Sequence, residues 1–245
     1  MKASSLKKVS KSEGKTASNT VAPAIEGITV DCVIFGFKKE SLEVLLVQHA
    51  EGESEGSWGL LGGWLKREES ADDAAQRILY ELTSLDNIYL EQLKAFTDPK
   101  RVLDRRVVTI GYYTLINQED YDVKASLAVR EAKWCKINEI PNLIFDHNEI
   151  LDFSLMHLRN RVRQAPIGFN LLPEKFTLLQ LMHLYEEILG IELDKSNFRR
   201  KILHMKLLVA LDEKQQDVSH RAAKLYKFDD EIYKKLTQKG FNFEF

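Results

Sequence analysis

The sequence predicts an α/β/α sandwich followed by a smaller α+β domain, and three observations carry this prediction. Up to about residue 165, apolar runs with strand composition are interrupted by single segments with helical periodicity. Pro166 and Gly168 then break the pattern. Beyond them come two amphipathic helical segments and a pair of short strands. We therefore assign the two domains to residues 25–165 and 169–245.

The first domain opens with strand-like runs rich in Val, Ile, Leu and Phe. ITVDCVIFGF at 28–37 is predicted as a buried strand and LEVLLVQ at 42–48 as its partner, with 38–41 as the turn. Further strands are predicted at 88–96, 106–116 and 132–136. A sheet of this length needs helices to cover its faces, and two segments supply them.

These two helices are predicted at 70–83 and 145–163. Ser70 is a suitable N-cap, and the acidic residues after it suit the positive end of the helix dipole. Both segments carry apolar residues at helical spacing. Each helix therefore has one face that can pack on the sheet.

The second domain has the order helix, helix, hairpin. Thr177 is a good N-cap for TLLQLMHLYEEILG, and Gly190 is a natural stop. Asp194 or Ser196 can cap a second helix whose inward residues are Phe198, Ile202 and Met205. Strands at 207–211 and 225–228 follow. This order is that of a winged helix-turn-helix, which places its second helix in the major groove of DNA.

Polar residues on the second helix and on the hairpin are the predicted contacts to double-stranded DNA. Arginine can bind guanine edges or phosphates, and asparagine can bind adenine. Residues 196–227 hold eight basic and three acidic residues, although a basic helix face is often simply solvated. The predicted DNA-binding residues are Asn197, Arg199, Arg200, Lys201, Arg221 and Lys224.

Composition limits the remaining classes. The net charge is −2, but residues 1–24 hold five lysines and one glutamate and too little apolar content to pack. We expect this segment to be a disordered basic tail. Cys32 and Cys135 are expected to be free thiols. No apolar run reaches membrane-spanning length and no signal peptide is evident, so we expect a cytoplasmic protein with no membrane contact.

Residues 62–85, GGWLKREESADDAAQRILYELTSL, resemble a Nudix box with missing acids. The family pattern is G-x5-E-x7-R-E-U-x-E-E-x-G-U, where U is apolar. Four residues of this chain match fixed positions of the pattern: Gly63, Glu69, Arg77 and Glu81. Ile78 and Leu82 replace two glutamates, and Ser84 replaces a glycine.

The missing acids are those that would hold magnesium. Mg²⁺ takes oxygen ligands, and carboxylates at i, i+3 and i+4 of a helix lie on one face. One of the three remains here, so the charge that would activate water is absent. We therefore predict no catalysis, no metal and no cofactor, with Glu69 and Glu81 vestigial and Glu81 paired with Arg77.

The two domains together resemble the Nudix-related transcriptional regulators. VDCVIFGF at 30–37, GFNLLPEKFTL at 168–178 and DKSNFRRKI at 194–202 are similar to the arabinose-utilisation regulators of Bacteroidetes. Other regulators of this group sense ADP-ribose. The resemblance implies a homodimeric DNA-binding regulator whose Nudix-like domain binds a small effector, either a sugar such as arabinose or ADP-ribose.

A sugar-binding pocket needs hydrogen-bonding groups and an aromatic wall. We predict that it contains Asp31, His49, Trp58, Arg106 and Tyr112. Asp31 is the most unusual because a carboxylate inside an apolar strand must face solvent, a partner or a pocket. Trp58 and Tyr112 could instead be packing residues, and His49 could be solvated. The run 98–106 resembles a loop near the ligand of ADP-ribose-type Nudix proteins, without the glycine often found there.

Two alternatives stay open at this point. The chain could be a hydrolase of ADP-ribose or a related nucleoside diphosphate derivative, with Glu69, Glu81 and Asp72 or Asp73 rebuilding the metal site. These aspartates lie a turn or more from Glu81, which is poor geometry for one metal ion. The chain could also be a protein-binding module without DNA contact.

Overall fold

The computed structural model describes residues 27–50, 55–126, 129–215, 222–241 and 243. The predicted basic tail at 1–24 lies outside these residues. The first domain contains seven strands and two helices: β1 (Gly27–Lys38), β2 (Ser41–His49), β3 (Trp58–Gly59), β4 (Leu61–Trp64), α1 (Ala71–Thr83), β5 (Glu91–Phe96), β6 (Val107–Asn117), β7 (Val129–Lys136) and α2 (His147–Gln164).

Strand β1 is the centre of a mixed sheet. It pairs in parallel with β6 from Gly27↔Val107 to Phe37↔Asn117. On its other side it pairs antiparallel with β4 through its first half and with β2 through its second half. β7 and β3 pair with β2, and β5 pairs with the far side of β6. Neighbours on both sides and helices on both faces explain the almost continuous apolar sequence of β1.

The two helices cover opposite faces of this sheet. Val33 and Phe35 of β1 share a buried cluster with the apolar side of α2. Cys32 and Ile34, which alternate with them, share a second cluster with α1. The predicted α/β/α sandwich is confirmed.

The second domain is the predicted winged helix-turn-helix with one additional strand and one additional helix. Its elements are β8 (Phe176–Thr177), α3 (Leu178–Leu189), α4 (Lys195–His204), β9 (Leu208–Lys214), β10 (Lys224–Phe228) and α5 (Asp230–Gln238). β8 and β9 flank β10 in an antiparallel sheet.

The helix boundaries of this domain follow from their capping residues. The side chains of Thr177 and Gln180 form a reciprocal capping box at the start of α3. Gly190 ends α3 in the left-handed region at φ 67°, where a glycine has no Cβ to clash. Of the two predicted caps for α4, the structure uses Asp194, whose side chain accepts from the amide of Asn197.

Several boundaries differ from the sequence prediction. β5 begins at Glu91 and not at 88. The Gln76 side chain donates a hydrogen bond to the carbonyl of Ile88, and the side chain of Tyr89 is exposed to solvent. β7 begins at Val129, earlier than predicted. β3 and β4 are short strands that the sequence did not predict, and β4 overlaps the start of the box motif.

The two domains share one apolar core. Buried residues of β1, α2, α3 and α4 belong to a single continuous cluster. Polar contacts seal the junction: Arg159 Nε donates to the carbonyl of Ile188 at 3.0 Å, and the amide of Leu42 donates to Glu187 Oε2 at 3.3 Å. Helices within the described ranges are all too short or too polar to cross a membrane.

Candidate functional site

A cavity of about 450 Å³ opens beside the first half of β1. β4 forms one wall, the loop between β5 and β6 forms another, and the start of α2 forms the third. The residues that carry its chemistry are Asp31, His49, Gly62, Trp64, Arg101, Phe145 and His147. Its volume is in the range of small-molecule sites.

Buried charges form the floor of this cavity. Arg101 is 7% exposed and donates from Nε to Asp146 Oδ2 at 2.9 Å. Its Nη2 donates to Asp146 Oδ1 at 2.8 Å and to Asp31 Oδ2 at 3.2 Å. One guanidinium therefore neutralises one of two carboxylates, which leaves a formal charge of −1 with neutral histidines beside it. Asp31, predicted to face solvent, a partner or a pocket, has Arg101 as its partner and also lines the cavity.

Two histidines adjoin these carboxylates. His147 Nδ1 accepts a hydrogen bond from the amide of Leu60 at 3.0 Å, so its proton lies on Nε2, 3.7 Å from Asp31 Oδ1. Burial, helped by the charge of Arg101, lowers the pKa of His147. Burial and the neighbouring His147 lower the pKa of His49. His49 Nε2 is buried and finds no hydrogen-bond partner among the described residues.

The lowered pKa of His147 predicts a loss of stability on acidification. The unfolded state takes up protons below about pH 6.5, before the folded state does, so the free energy of unfolding falls as the pH drops below that value. We expect His147→Asn to flatten this dependence, because an amide oxygen can replace Nδ1 as acceptor without titrating. Urea unfolding at pH 7.5 and 5.5 measures the effect, with His204→Asn on the exposed side of α4 as control. Equal slopes in both variants and the wild type would rule out His147 as the source.

The mouth of the cavity is aromatic. Trp64 and Phe145 are 50% and 55% exposed, which is high for side chains of this size. The close approach of β4 to β1 needs Gly62, because a Cβ there would lie 2.2 Å from Asp31 Oδ1. A ligand in this cavity meets polar groups at depth and aromatic faces at the entrance.

The box helix lies beside this cavity, and its acids are all engaged. Arg77 donates to both oxygens of Glu69, to Glu81 Oε2 at 2.9 Å and to the carbonyl of Trp64. The hydrogen bond from Arg77 lowers the pKa of Glu69 to about 2. Asp73 bonds Ser70 in the helix cap, and Asp72 accepts from the hydroxyl of Tyr112.

Hydrocarbon fills the position where the family has a carboxylate. Ile78 is buried and packs against Gly63, so close that a Cβ at Gly63 would lie 3.1 Å from it. The predicted pairing of Glu81 with Arg77 is present. Within the described ranges, no three His, Cys, Asp or Glu side chains form a group that could hold a metal ion.

The structure brings two of the five predicted pocket residues to the cavity. Asp31 and His49 line it. Trp58, Arg106 and Tyr112 do not: Lys133 covers the Trp58 ring, Arg106 braces the carbonyls of Thr97 and Asp98, and Tyr112 is buried in the α1 face of the core. These three side chains lie outside the cavity because packing and loop bracing use them.

The cavity residues that the sequence prediction missed include Trp64, Arg101, Phe145 and His147. Arg101 lies in the run 98–106 that resembles a ligand loop. The other three carry no signal of a pocket in the sequence, because Trp64 falls in the box motif and Phe145 and His147 fall in the predicted helix 145–163.

The exposed face of α4 is the candidate nucleic-acid interface. Phe198 and Ile202 are buried beneath it, while Asn197, Arg199 and Arg200 are exposed. Lys201 and Lys224 are exposed as well, on α4 and at the start of β10. Arg200 Nη2 donates to Asn197 Oδ1 at 2.8 Å, so this asparagine supports an arginine. Arg221 lies outside the described residues.

Known families cover both domains. The chain matches the NUDIX domain family over residues 26–153 and the NrtR DNA-binding winged helix domain over residues 168–228. The ADPR responsive transcriptional repressor NtrR of Acinetobacter baylyi is 31% identical over 205 residues, which cover 82% of this chain and 81% of that protein.

Solved structures agree with this match. Shewanella oneidensis NrtR complexed with a 27mer DNA is 28% identical with a TM-score of 0.68, covering 88% of this chain and 97% of that one. The NUDIX domain of Shewanella oneidensis NrtR complexed with ADP ribose is 29% identical with a TM-score of 0.50, covering 56% of this chain and 91% of that one.

Fold and site thus define a Nudix domain joined to a winged helix DNA-binding domain, the architecture of a transcriptional regulator. More particularly, the chain belongs to the NrtR family of such regulators. The resemblance to Nudix-related regulators is confirmed at this level, and nothing in these matches supports the arabinose branch.

Proposed function

We propose that the protein is a DNA-binding transcriptional repressor whose Nudix domain senses ADP-ribose without hydrolysing it. The observation that carries this proposal is the cavity with a polar floor and an aromatic mouth, beside a box helix whose acids are paired or replaced. Relatives that respond to ADP-ribose and bind DNA support both halves.

The charge of the cavity floor favours the hydroxyl-bearing part of such a ligand. Both carboxylates already bind Arg101, and the net formal charge of −1 on these three groups disfavours a phosphate in the same place. Carboxylates and the free Nε2 of His49 suit sugar hydroxyls. We infer that a ribose enters the floor, while the adenine stacks at Trp64 or Phe145.

A free pentose such as arabinose is the second candidate effector. The same floor of carboxylates and histidines could bind it. A pentose alone gives Trp64 and Phe145 no base to stack on, so we rank it below ADP-ribose.

The DNA contact is proposed to be made by α4 and the hairpin of β9 and β10. Asn197, Arg199, Arg200, Lys201 and Lys224 are the contacting residues within the described part, and Arg221 remains an expectation from the sequence. A homodimer binding a palindromic operator is the expected assembly, and contact with chromosomal DNA agrees with the cytoplasmic location expected from the sequence.

Hydrolysis is not part of this proposal. Ile78 replaces a metal-binding acid with buried hydrocarbon, and Arg77 forms ion pairs with both remaining box glutamates. The alternative of an ADP-ribose hydrolase would require these ion pairs to open around a metal ion.

Ligand-induced stabilisation tests the effector. At a hundredfold excess over its dissociation constant, ADP-ribose should raise the free energy of unfolding by about 2.7 kcal/mol. Trp64→Ala should weaken ADP-ribose binding about 5- to 150-fold, since stacking of a base on an aromatic ring contributes about 1–3 kcal/mol. Urea unfolding with and without ADP-ribose measures the stabilisation, and titration calorimetry compares the affinity of Trp64→Ala with that of the wild type.

Tyr89→Ala is the matched control, because Tyr89 is 79% exposed and lies outside the cavity. Arabinose is titrated in parallel. Stabilisation by arabinose and not by ADP-ribose would replace the proposed effector. Magnesium-dependent release of AMP from ADP-ribose would show that the domain is an enzyme.

A further inference from the structure

The start of α2 lacks the cap that its sequence provides. Asp146 is the N-cap residue, yet its side chain makes no hydrogen bond to the amides of the helix as described. Aspartate is among the best N-caps because its carboxylate accepts from the second or third helical amide. Here Arg101 binds both carboxylate oxygens from the floor of the cavity. The Asp146 carboxylate therefore binds Arg101 in place of the first amides of α2.

The residue before this cap is strained. Phe145 has φ 51°, in the left-handed region that a bulky side chain rarely adopts. Its ring lies at the mouth of the cavity and makes an edge contact with the ring of His147, 5.8 Å between centroids. Backbone strain of this kind persists where neighbouring contacts hold it. The Arg101–Asp146 ion pair fixes the residue immediately after Phe145.

Helix α2 connects this strained start to the DNA-binding domain. Arg159 lies thirteen residues after Asp146, about 20 Å along a helix that rises 1.5 Å per residue. It holds the carbonyl of Ile188 at the end of α3. Arg163, one turn further, borders the same groove as Asn197 and Arg200 of α4. A movement at the start of α2 therefore reaches the helices that contact DNA.

We propose that the Arg101–Asp146 ion pair is the switch that couples the cavity to DNA affinity, an inference that rests on the proposed function. Sugar hydroxyls that bind Asp31 and the guanidinium draw Arg101 away from Asp146. Asp146 then accepts from the amide of Asn148 or Glu149, the strain at Phe145 relaxes, and α2 carries α3 with it. To cap the helix, the Asp146 carboxylate has to turn from its bidentate position on Arg101, and these two positions are the two states of the proposed switch.

Asp146→Asn separates capping from charge. Asparagine caps a helix as well as aspartate but lacks the charge that holds Arg101. In the wild type, ADP-ribose should change the affinity for an operator duplex, selected from a random library on the wild-type protein, by about 5- to 150-fold. In Asp146→Asn, ADP-ribose should change the affinity for the same duplex by less than about twofold. Asp152→Asn, the same substitution on the exposed side of α2, is the matched control and should keep the wild-type change.

Amide hydrogen exchange gives a second measurement that needs no variant. In the wild type, ADP-ribose should slow exchange at Asn148 and Glu149 as Asp146 turns to cap them. An Asp146→Asn protein that keeps the full wild-type change in DNA affinity, or unchanged exchange at both amides, overturns the switch while the proposed function stands. A wild-type protein that binds the duplex equally with and without ADP-ribose overturns the proposed function and the switch with it.

Discussion

Replacing Arg199 and Arg200 together by alanine is expected to weaken operator binding by about 30-fold or more, because each arginine contact to a base or phosphate contributes about 1–3 kcal/mol. Both side chains are exposed on α4, above the buried anchor formed by Phe198 and Ile202. Removing them takes no atom from the core, so the fold should be kept. Fluorescence anisotropy at several salt concentrations measures the loss, and the salt dependence should become shallower as phosphate contacts disappear.

Lys234→Ala with Lys235→Ala is the matched control. This pair also removes two positive charges from the winged helix domain, but from the exposed side of α5. We expect only a modest, uniform loss from the changed net charge. If both double variants bind the operator with the same reduced affinity, α4 carries no special contact. If the α4 variant binds like the wild type, the protein-binding module becomes the better hypothesis.

Arg101→Ala is expected to lower the free energy of unfolding by about 3–5 kcal/mol, the usual cost of leaving a buried charge without its partner. Asp31 is 4% exposed and loses its guanidinium, while Asp146 can turn to the amides of α2. For a chain of this size the loss corresponds to a fall in melting temperature of about 6–20 °C. Calorimetry and urea unfolding at pH 7.5 measure the change.

A double-mutant cycle attributes this loss to Asp31. Asp31→Asn in the Arg101→Ala background removes the uncompensated charge and should recover part of the stability. Arg105→Ala on the same loop is the control, since its pairing with Asp104 is exposed and should change stability by less than about 0.5 kcal/mol. No recovery in the double variant would show that the loss comes from packing and not from charge.

The fold was predictable because its signals are local. Ser70, Thr177 and Gly190 occupy the caps that the sequence predicted, since capping depends on residues three or four positions apart. Periodicity located β1, β2, β6 and both sandwich helices. β8 is two residues long and too short for a periodic signal. α5 is amphipathic, but it lies beyond the hairpin at which the predicted elements end.

The cavity was less predictable because its floor is assembled from distant segments. Arg101 joins Asp31, seventy residues earlier, to Asp146, forty-five residues later. Asp31 could be selected because a carboxylate in an apolar strand is anomalous by itself. Trp58 and Tyr112 have the composition of a ligand wall, but composition cannot show which face of a strand a side chain occupies in the tertiary structure. The missing acids of the box, by contrast, were visible because the motif lies within one helix.

The apolar core that runs through both domains bears on how such regulators diversify. A DNA-binding module joined by a flexible linker can be exchanged between proteins as a cassette. Here α2 and α3 pack against the sheet in one core, and Arg159 and Glu187 form hydrogen bonds between the two domains. Exchanging the winged helix domain would expose the apolar surfaces of α2 and of the sheet that α3 covers. A domain grafted in its place would have to supply the same buried contacts.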